Sequence, residues 1–253
     1  MTQIQFKDHF SDVSNDYAKY RPNYPDALAH QLASLLTEHH IALDCGCGTG
    51  QFSVTLSPYF QQVIATDASQ SQITQAVPCA NIEYRVAPAE SSGLKENSVD
   101  LITVAQAAHW LDLDAFYKEV HKIAKPRAVL ALITYGVFYI DEQINPYLQY
   151  FYANVIGRYW PPERKHVEDG YQNLNFPFDE MTLEPIVLTE FWNFYQLIGY
   201  IGTWSAVKEA RKILENDPLA VFAQELLLVW GDPIIKKQIH WPVSVRVGRV
   251  TTN

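Results

Sequence analysis

An α/β fold, in which a mostly parallel sheet carries helices on both faces, is predicted by two features of the sequence. Short apolar runs that read as strands alternate with stretches of helical periodicity. The first of these runs, Ile41-Ala-Leu-Asp-Cys-Gly-Cys-Gly-Thr-Gly50, ends in an acid and three glycines spaced one apart. Such a strand turns into a loop in which Gly46, Gly48 and Gly50 keep side chains out of a ligand's way. A second run, Val63-Ile-Ala-Thr, ends in Asp67. There an open α/β sheet holds the carboxylate that accepts hydrogen bonds from both hydroxyls of an adenosine ribose.

The glycine spacing is Gly-x-Gly-x-Gly rather than Gly-x-Gly-x-x-Gly, and no Lys-Ser/Thr of the phosphate-cradling kind follows. Asp44, just before the loop, would repel a phosphate and suits a cation instead. A nicotinamide dinucleotide is disfavoured on both counts. S-adenosylmethionine, with ammonium and sulfonium charges and no phosphate, fits an acid-rimmed glycine loop followed by a ribose-binding acid.

The other elements follow in order. Residues 10–25 are crowded with tyrosine and closed by Pro22 and Pro25, which exclude a continuous helix. Asp26 is placed to cap a helix through Leu28, Leu32 and Leu36. A short helix from Phe52 to Leu56 precedes the second strand, Gln61 to Thr66, and Ser69 is placed to cap the next helix. Ile82 to Ala87 alternates as a third strand, with Ala89-Glu90 behind it. Ser98 to Ala105 is the fourth, and it delivers Gln106-Ala-Ala-His109-Trp110 to the ligand edge. An indole there can wall a pocket, and an imidazole that titrates near neutrality can accept a proton. Asp112 or Asp114 caps a helix through Ile123, and Ala128 to Thr134 is the fifth strand.

From Tyr135 to Trp204 the composition shifts: 18 of the chain's 33 aromatic residues fall in these 70 positions. Helical fragments are expected at Tyr147 to Tyr159 and a strand near Thr182 to Glu190. This stretch reads as an insertion near the C-terminal strands that caps the ligand edge and supplies an apolar pocket. Beyond it, helices from Thr203 and from Asp217-Pro218 lead to a last strand in which Ile239, Trp241, Val243, Val245 and Val247 alternate.

Leu43-Asp-Cys-Gly-Cys-Gly-Thr-Gly50 with Asp67 resembles the class I S-adenosylmethionine-dependent methyltransferases, which implies a Rossmann-like, seven-stranded sheet. The Tyr17-Ala-x-Tyr20-Arg21-Pro-x-Tyr-Pro25 segment and Gln106-x-x-His109-Trp110 are similar to the small-molecule, trans-aconitate-type carboxyl methyltransferases within them. That resemblance implies an amino-terminal lid, with Tyr17 and Tyr20 on its inner wall and Arg21 on the cofactor's methionine carboxylate. It also implies that Ala89 and Glu90 flank the adenine, that Gln106 belongs to the cofactor site, and that His109 and Trp110 belong to the catalytic site. Where the family usually has Pro-Gly-Gly before the fifth strand, this chain has Lys125-Pro-Arg. The turn lies on the edge away from the ligand, so cofactor binding is little affected.

The expected organisation is one domain over 1–253. A lid and first helix occupy 1–40, the cofactor core 41–134, the insertion 135–204, and C-terminal helices and strand 205–253. A formal charge of −9 with no basic cluster disfavours nucleic acid, whose binders gain affinity from Lys and Arg. No apolar run approaches a membrane span. The 3 cysteines, an odd number, argue for a reducing, cytoplasmic setting. Cys45-x-Cys47 has no second pair to complete zinc ligation, so no metal is expected. The expected reaction is in-line methyl transfer to a small molecule, with a carboxylic acid favoured and Arg158 a candidate to orient it. A phenol, alcohol or amine with His109 as base is the alternative, and a binding module without catalysis is another. The sequence leaves a monomer or a homodimer open.

Overall fold

The computed structural model describes residues 21–251, so Tyr17 and Tyr20 lie outside the described residues. Eight strands make one sheet: β1 (Ile41–Cys45), β2 (Gln62–Asp67), β3 (Ile82–Val86), β4 (Val99–Ala105), β5 (Ala124–Tyr135), β6 (Asp179–Met181), β7 (Ile186–Trp192) and β8 (Lys237–Arg249). Their order is β3-β2-β1-β4-β5-β8-β6, with β7 also on β8. The first five pair in parallel, and β8 runs antiparallel to β5. At Val243 and Val247 one side of β8 is taken by β5 and the other by β7 or β6. The eight strands therefore fill seven places, the last shared by two short strands. The break between them falls at Leu183-Glu184-Pro185, where proline offers no N–H to the ladder. Gln31 stands in: its Nε2 donates to the Glu184 carbonyl and its Oε1 accepts the Glu184 N–H.

The helices are α1 (Asp26–Ser34), α2 (Gln51–Leu56), α3 (Gln70–Thr74), α4 (Leu113–Ile123), α5 (Asn145–Tyr150), α6 (Arg164–Glu168), α7 (Phe194–Gly202), α8 (Ser205–Ile213) and α9 (Pro218–Trp230). Leu28, Leu32, Phe52 and Leu56 of α1 and α2 pack on Val63, Leu101 and Val129 on one face of the sheet. Phe116, Val120 and Ile123 of α4 cover Leu43, Ile102 and Leu130 on the other. With both faces covered, the central strands can be apolar without alternation. A third cluster, built on Phe138, Phe151, Trp192, Tyr200, Trp204, Phe222 and Trp241, joins residues 135–204 to α9 and β8. β6 and β7 also come from that stretch, so part of it belongs to the sheet itself.

Several local expectations differ in detail. Pro25 takes the cap position of α1, and Asp26, already helical, accepts a bond from the Tyr59 hydroxyl. Ser69 precedes α3 without a side-chain cap; its hydroxyl pairs with that of Ser71. Asp112 and Asp217 do cap their helices. The fragment expected from Tyr147 to Tyr159 is α5 followed by a π turn at Phe151–Val155 and a 3-10 turn at Gly157–Tyr159. β5 starts at Ala124, earlier than expected, with a register shift opposite Val99 and Leu101. There Lys125 Nζ reaches Asp100 at 2.8 Å, Glu38 at 3.2 Å and His40 Nδ1 at 3.0 Å. Arg127 takes a φ of 68°, the left-handed conformation that a family glycine would supply without strain. No helix among the described residues is long and apolar enough to cross a membrane.

Candidate active site

The loop after β1 is shaped from both sides. Gly46, at φ 65°, lies against Ala107, whose Cβ would be 2.7 Å from any Cβ added there. Gly50, at φ 86°, has no room for a side chain, because a Cβ would overlap the Tyr84 hydroxyl. That hydroxyl donates to the Val77 carbonyl. Gly50→Ala is therefore expected to cost about 2–3 kcal/mol, combining the left-handed penalty with a displaced hydrogen bond. Urea unfolding checks it, and a midpoint equal to wild type would refute the packing argument.

Asp44 sits wholly inside, its oxygens bonded to the hydroxyls of Ser53 (2.7 Å) and Thr103 (2.9 Å). Burial outweighs those two bonds and pushes its carboxyl up to about 6. It ties α2 and β4 to the end of β1. Asp67 ends β2, where Oδ2 accepts the Gly48 N–H at 2.9 Å and Oδ1 the Ser69 N–H at 2.8 Å. Ala89 is buried behind β3, and Glu90 accepts the Asp112 N–H.

At the end of β4, Gln106 adopts φ 56°, unusual for a residue with a side chain. Its amide is pinned by Thr134, which donates to Oε1, and by the Tyr135 carbonyl, which accepts from Nε2. The turn Ala108–Trp110 follows. His109 lies 4.7 Å from the Trp110 ring, centroid to centroid, and its Nδ1 is 2.8 Å from the Tyr171 hydroxyl. Burial pushes the imidazole down to about 3, helped by positive charge from Arg164 and His166. Burial raises the Tyr171 hydroxyl, so it stays protonated, and the amides of Ala108 and His109 favour its oxygen as acceptor. Thr134, whose own proton goes to Gln106, shares that hydroxyl with Nδ1, and the His109 tautomer sets which of Tyr171 and Nδ1 donates. Arg21 reaches the Tyr135 hydroxyl at 3.4 Å and lies over the Tyr200 ring at 5.7 Å.

A methyltransferase-domain family model matches residues 43–132, the segment that contains the glycine loop, Asp67 and the His109 turn. A methyltransferase of Dictyostelium discoideum is 36% identical over 230 residues, covering 89% of this chain and 88% of that one. The chain is a class I S-adenosylmethionine-dependent methyltransferase. A structure described as a type II methyltransferase from Anaeromyxobacter dehalogenans matches this methyltransferase with TM-score 0.87 and 42% identity, over 92% of this chain and 100% of that one. A Saccharomyces cerevisiae protein described as an S-adenosylmethionine-dependent methyltransferase is 28% identical, over 62% of this chain and 59% of its own.

The residues present fit that cofactor. Thr49 Oγ1, Gln51 Nε2 and Gln72 Oε1, all around the glycine loop, are buried without a hydrogen-bond partner. Around the methyltransferase's His109, sequence reasoning missed Tyr171 and Arg164, and with them Trp160 and Tyr152, whose rings lie against Arg164. They come from the aromatic stretch, where neither spacing nor periodicity marks them. Arg158 lies elsewhere, folded over the ring of its neighbour Tyr159 at 4.9 Å and bonded to that hydroxyl.

Proposed function

We propose that the methyltransferase transfers a methyl group to a carboxylate oxygen of a small organic acid, as in the trans-aconitate-type subgroup. The observation that carries this reading is the state of His109, neutral across the physiological range with Nδ1 engaged by Tyr171. A group so hard to protonate is a poor base for a phenol, an alcohol or an ammonium. A carboxylate needs no base.

S-adenosylmethionine, when bound, supplies a methyl group made electrophilic by its sulfonium. The chain's task is then alignment and exclusion of water. In this reading Asp67 accepts the ribose hydroxyls, Ala89 and Glu90 flank the adenine, and Arg21 receives the methionine carboxylate. Gly46, Gly48, Gly50 and Gln106 form the floor, and Asp44 fixes the loop from behind. Trp110 walls the acceptor, and Tyr17 and Tyr20, outside the described residues, are assigned to the cofactor's lid. The setting proposed is a reducing cytoplasm, with a small molecule and no nucleic acid or membrane as partner.

The pH profile of ester formation tests it. Between pH 5 and 8 at saturating cofactor, wild type and His109→Gln are expected to show the same shape. The variant should be uniformly slower, by less than the roughly 10²–10⁴-fold that loss of a general base costs. A limb near pH 6.5 in wild type that vanishes in the variant would make His109 a base and overturn the reading.

A further inference from the structure

α6 packs against the Ala108–Trp110 turn and opens with Arg164. Its guanidinium carbon lies 4.5 Å from the centre of the Trp160 ring and 5.5 Å from that of Tyr152. Nε donates to the Tyr152 hydroxyl at 2.8 Å, and that hydroxyl donates in turn to Glu168 at 2.5 Å. The side chain is thus held by one face and one nitrogen. Its two terminal nitrogens have no hydrogen bond or ion pair among the described residues. Other arginines of the chain, such as Arg211 with Asp217 and Arg246 with Glu180, place a terminal nitrogen on a carboxylate. Beside Arg164, Trp160 Nε1 and His166 Nδ1 are buried without a partner. A planar fork held by stacking, with both prongs open beside two aromatic rings, matches a carboxylate in geometry and charge.

We infer that Arg164 binds the carboxylate of the methyl acceptor, an acid with a small apolar body, beside His109. This rests on the carboxylic acid reading above and moves the orienting arginine from Arg158 to Arg164. The step balances without a proton. A carboxylate lone pair forms the O–CH3 bond, the S–CH3 bond breaks, and its electron pair stays on sulfur to give S-adenosylhomocysteine. The ester is neutral, so the reaction removes the charge that Arg164 holds. Product release is then built into recognition.

The test uses the full chain loaded with S-adenosylhomocysteine, titrated calorimetrically with 3-phenylpropanoate and with 3-phenylpropanamide, its uncharged counterpart. Wild type is expected to prefer the acid by at least about 10-fold, of the order of one charge-assisted bond. Arg164→Met should abolish that preference, Arg164→Lys should keep part of it, and Arg158→Met should leave it intact. S-adenosylhomocysteine affinity, unchanged throughout, reports that each variant is folded. In parallel, methyl transfer to 3-phenylpropanoate should show a raised KM in Arg164→Met.

Equal binding of acid and amide by wild type, a preference that survives in Arg164→Met, or ester formation with unchanged KM would overturn the role of Arg164 alone if wild type makes the ester. If wild type neither binds nor esterifies the acid, the role falls together with the carboxylic acid reading. Retained S-adenosylhomocysteine binding would mark that case as a wrong acceptor and not a damaged protein.

Discussion

Asp67→Ala is expected to weaken S-adenosylhomocysteine binding by roughly 10²–10⁴-fold, or about 3–6 kcal/mol. Two hydrogen bonds from ribose hydroxyls to an anion are at stake, each worth about 1.5–3 kcal/mol. The carboxylate is also held in place before any ligand arrives, by the Gly48 and Ser69 amides. Little ordering cost is therefore left to charge against those bonds. Removing it leaves the Gly48 N–H, inside the glycine loop, without its acceptor. Asp67→Asn keeps the shape and one acceptor, so it should fall between. Calorimetry measures all three proteins, and an alanine variant within about 3-fold of wild type would remove Asp67 from the cofactor site.

The second large effect is on stability. Trp241 is completely buried in β8, with ring centres 5.2 Å from Trp192, 5.4 Å from Phe138 and 5.7 Å from Tyr200. Its Nε1 donates to the Tyr200 hydroxyl at 3.3 Å. Trp241→Ala should cost about 3–5 kcal/mol through lost transfer energy and the cavity left behind. Tyr200, whose hydroxyl burial pushes up to about 12, would lose its donor while still out of water. The same ring lies under Arg21, so the damage extends toward the cofactor edge. Urea denaturation decides: a loss under about 1.5 kcal/mol would mean that the aromatic cluster closes over the gap.

What could be read from the sequence was local. The glycine loop, Asp44, Asp67 and the His109-Trp110 pair stand at the ends of apolar runs, where strand edges put them next to one another without any knowledge of side-chain packing. The helix starts at Asp112 or Asp114 and at Asp217-Pro218 were legible for the same reason, since a cap acts within three residues; the structure puts the caps on Asp112 and Asp217. Partners far apart in the chain were not. Tyr171 meets His109 across 62 positions, and Gln31 meets Glu184 across 153. Backbone conformation misled in a particular way. Gln106, Arg127 and Tyr171 all take positive φ, which composition assigns to glycine, because hydrogen bonds and neighbouring strands over-determine them. The protonation state of His109 is the clearest case. The residue type suggests a base near neutrality, whereas burial, with Arg164 nearby, keeps the imidazole neutral.

The amide of Gln31, which replaces two ladder bonds where β6 gives way to β7, bears on how molecules of this protein keep apart. The outermost strand of a sheet is where foreign strands add, and a long flat border invites stacking of one chain on another. Here that border is cut in two by Pro185. The gap is closed by an α1 side chain, and Glu190 further along takes both the backbone and side-chain N–H groups of Asn23. A stranger's strand would meet no uninterrupted row of free amides on that flank. Asn23 and the side chain of Gln31 on α1 thus act as a selvedge, finishing the sheet so that it does not ravel into its neighbours.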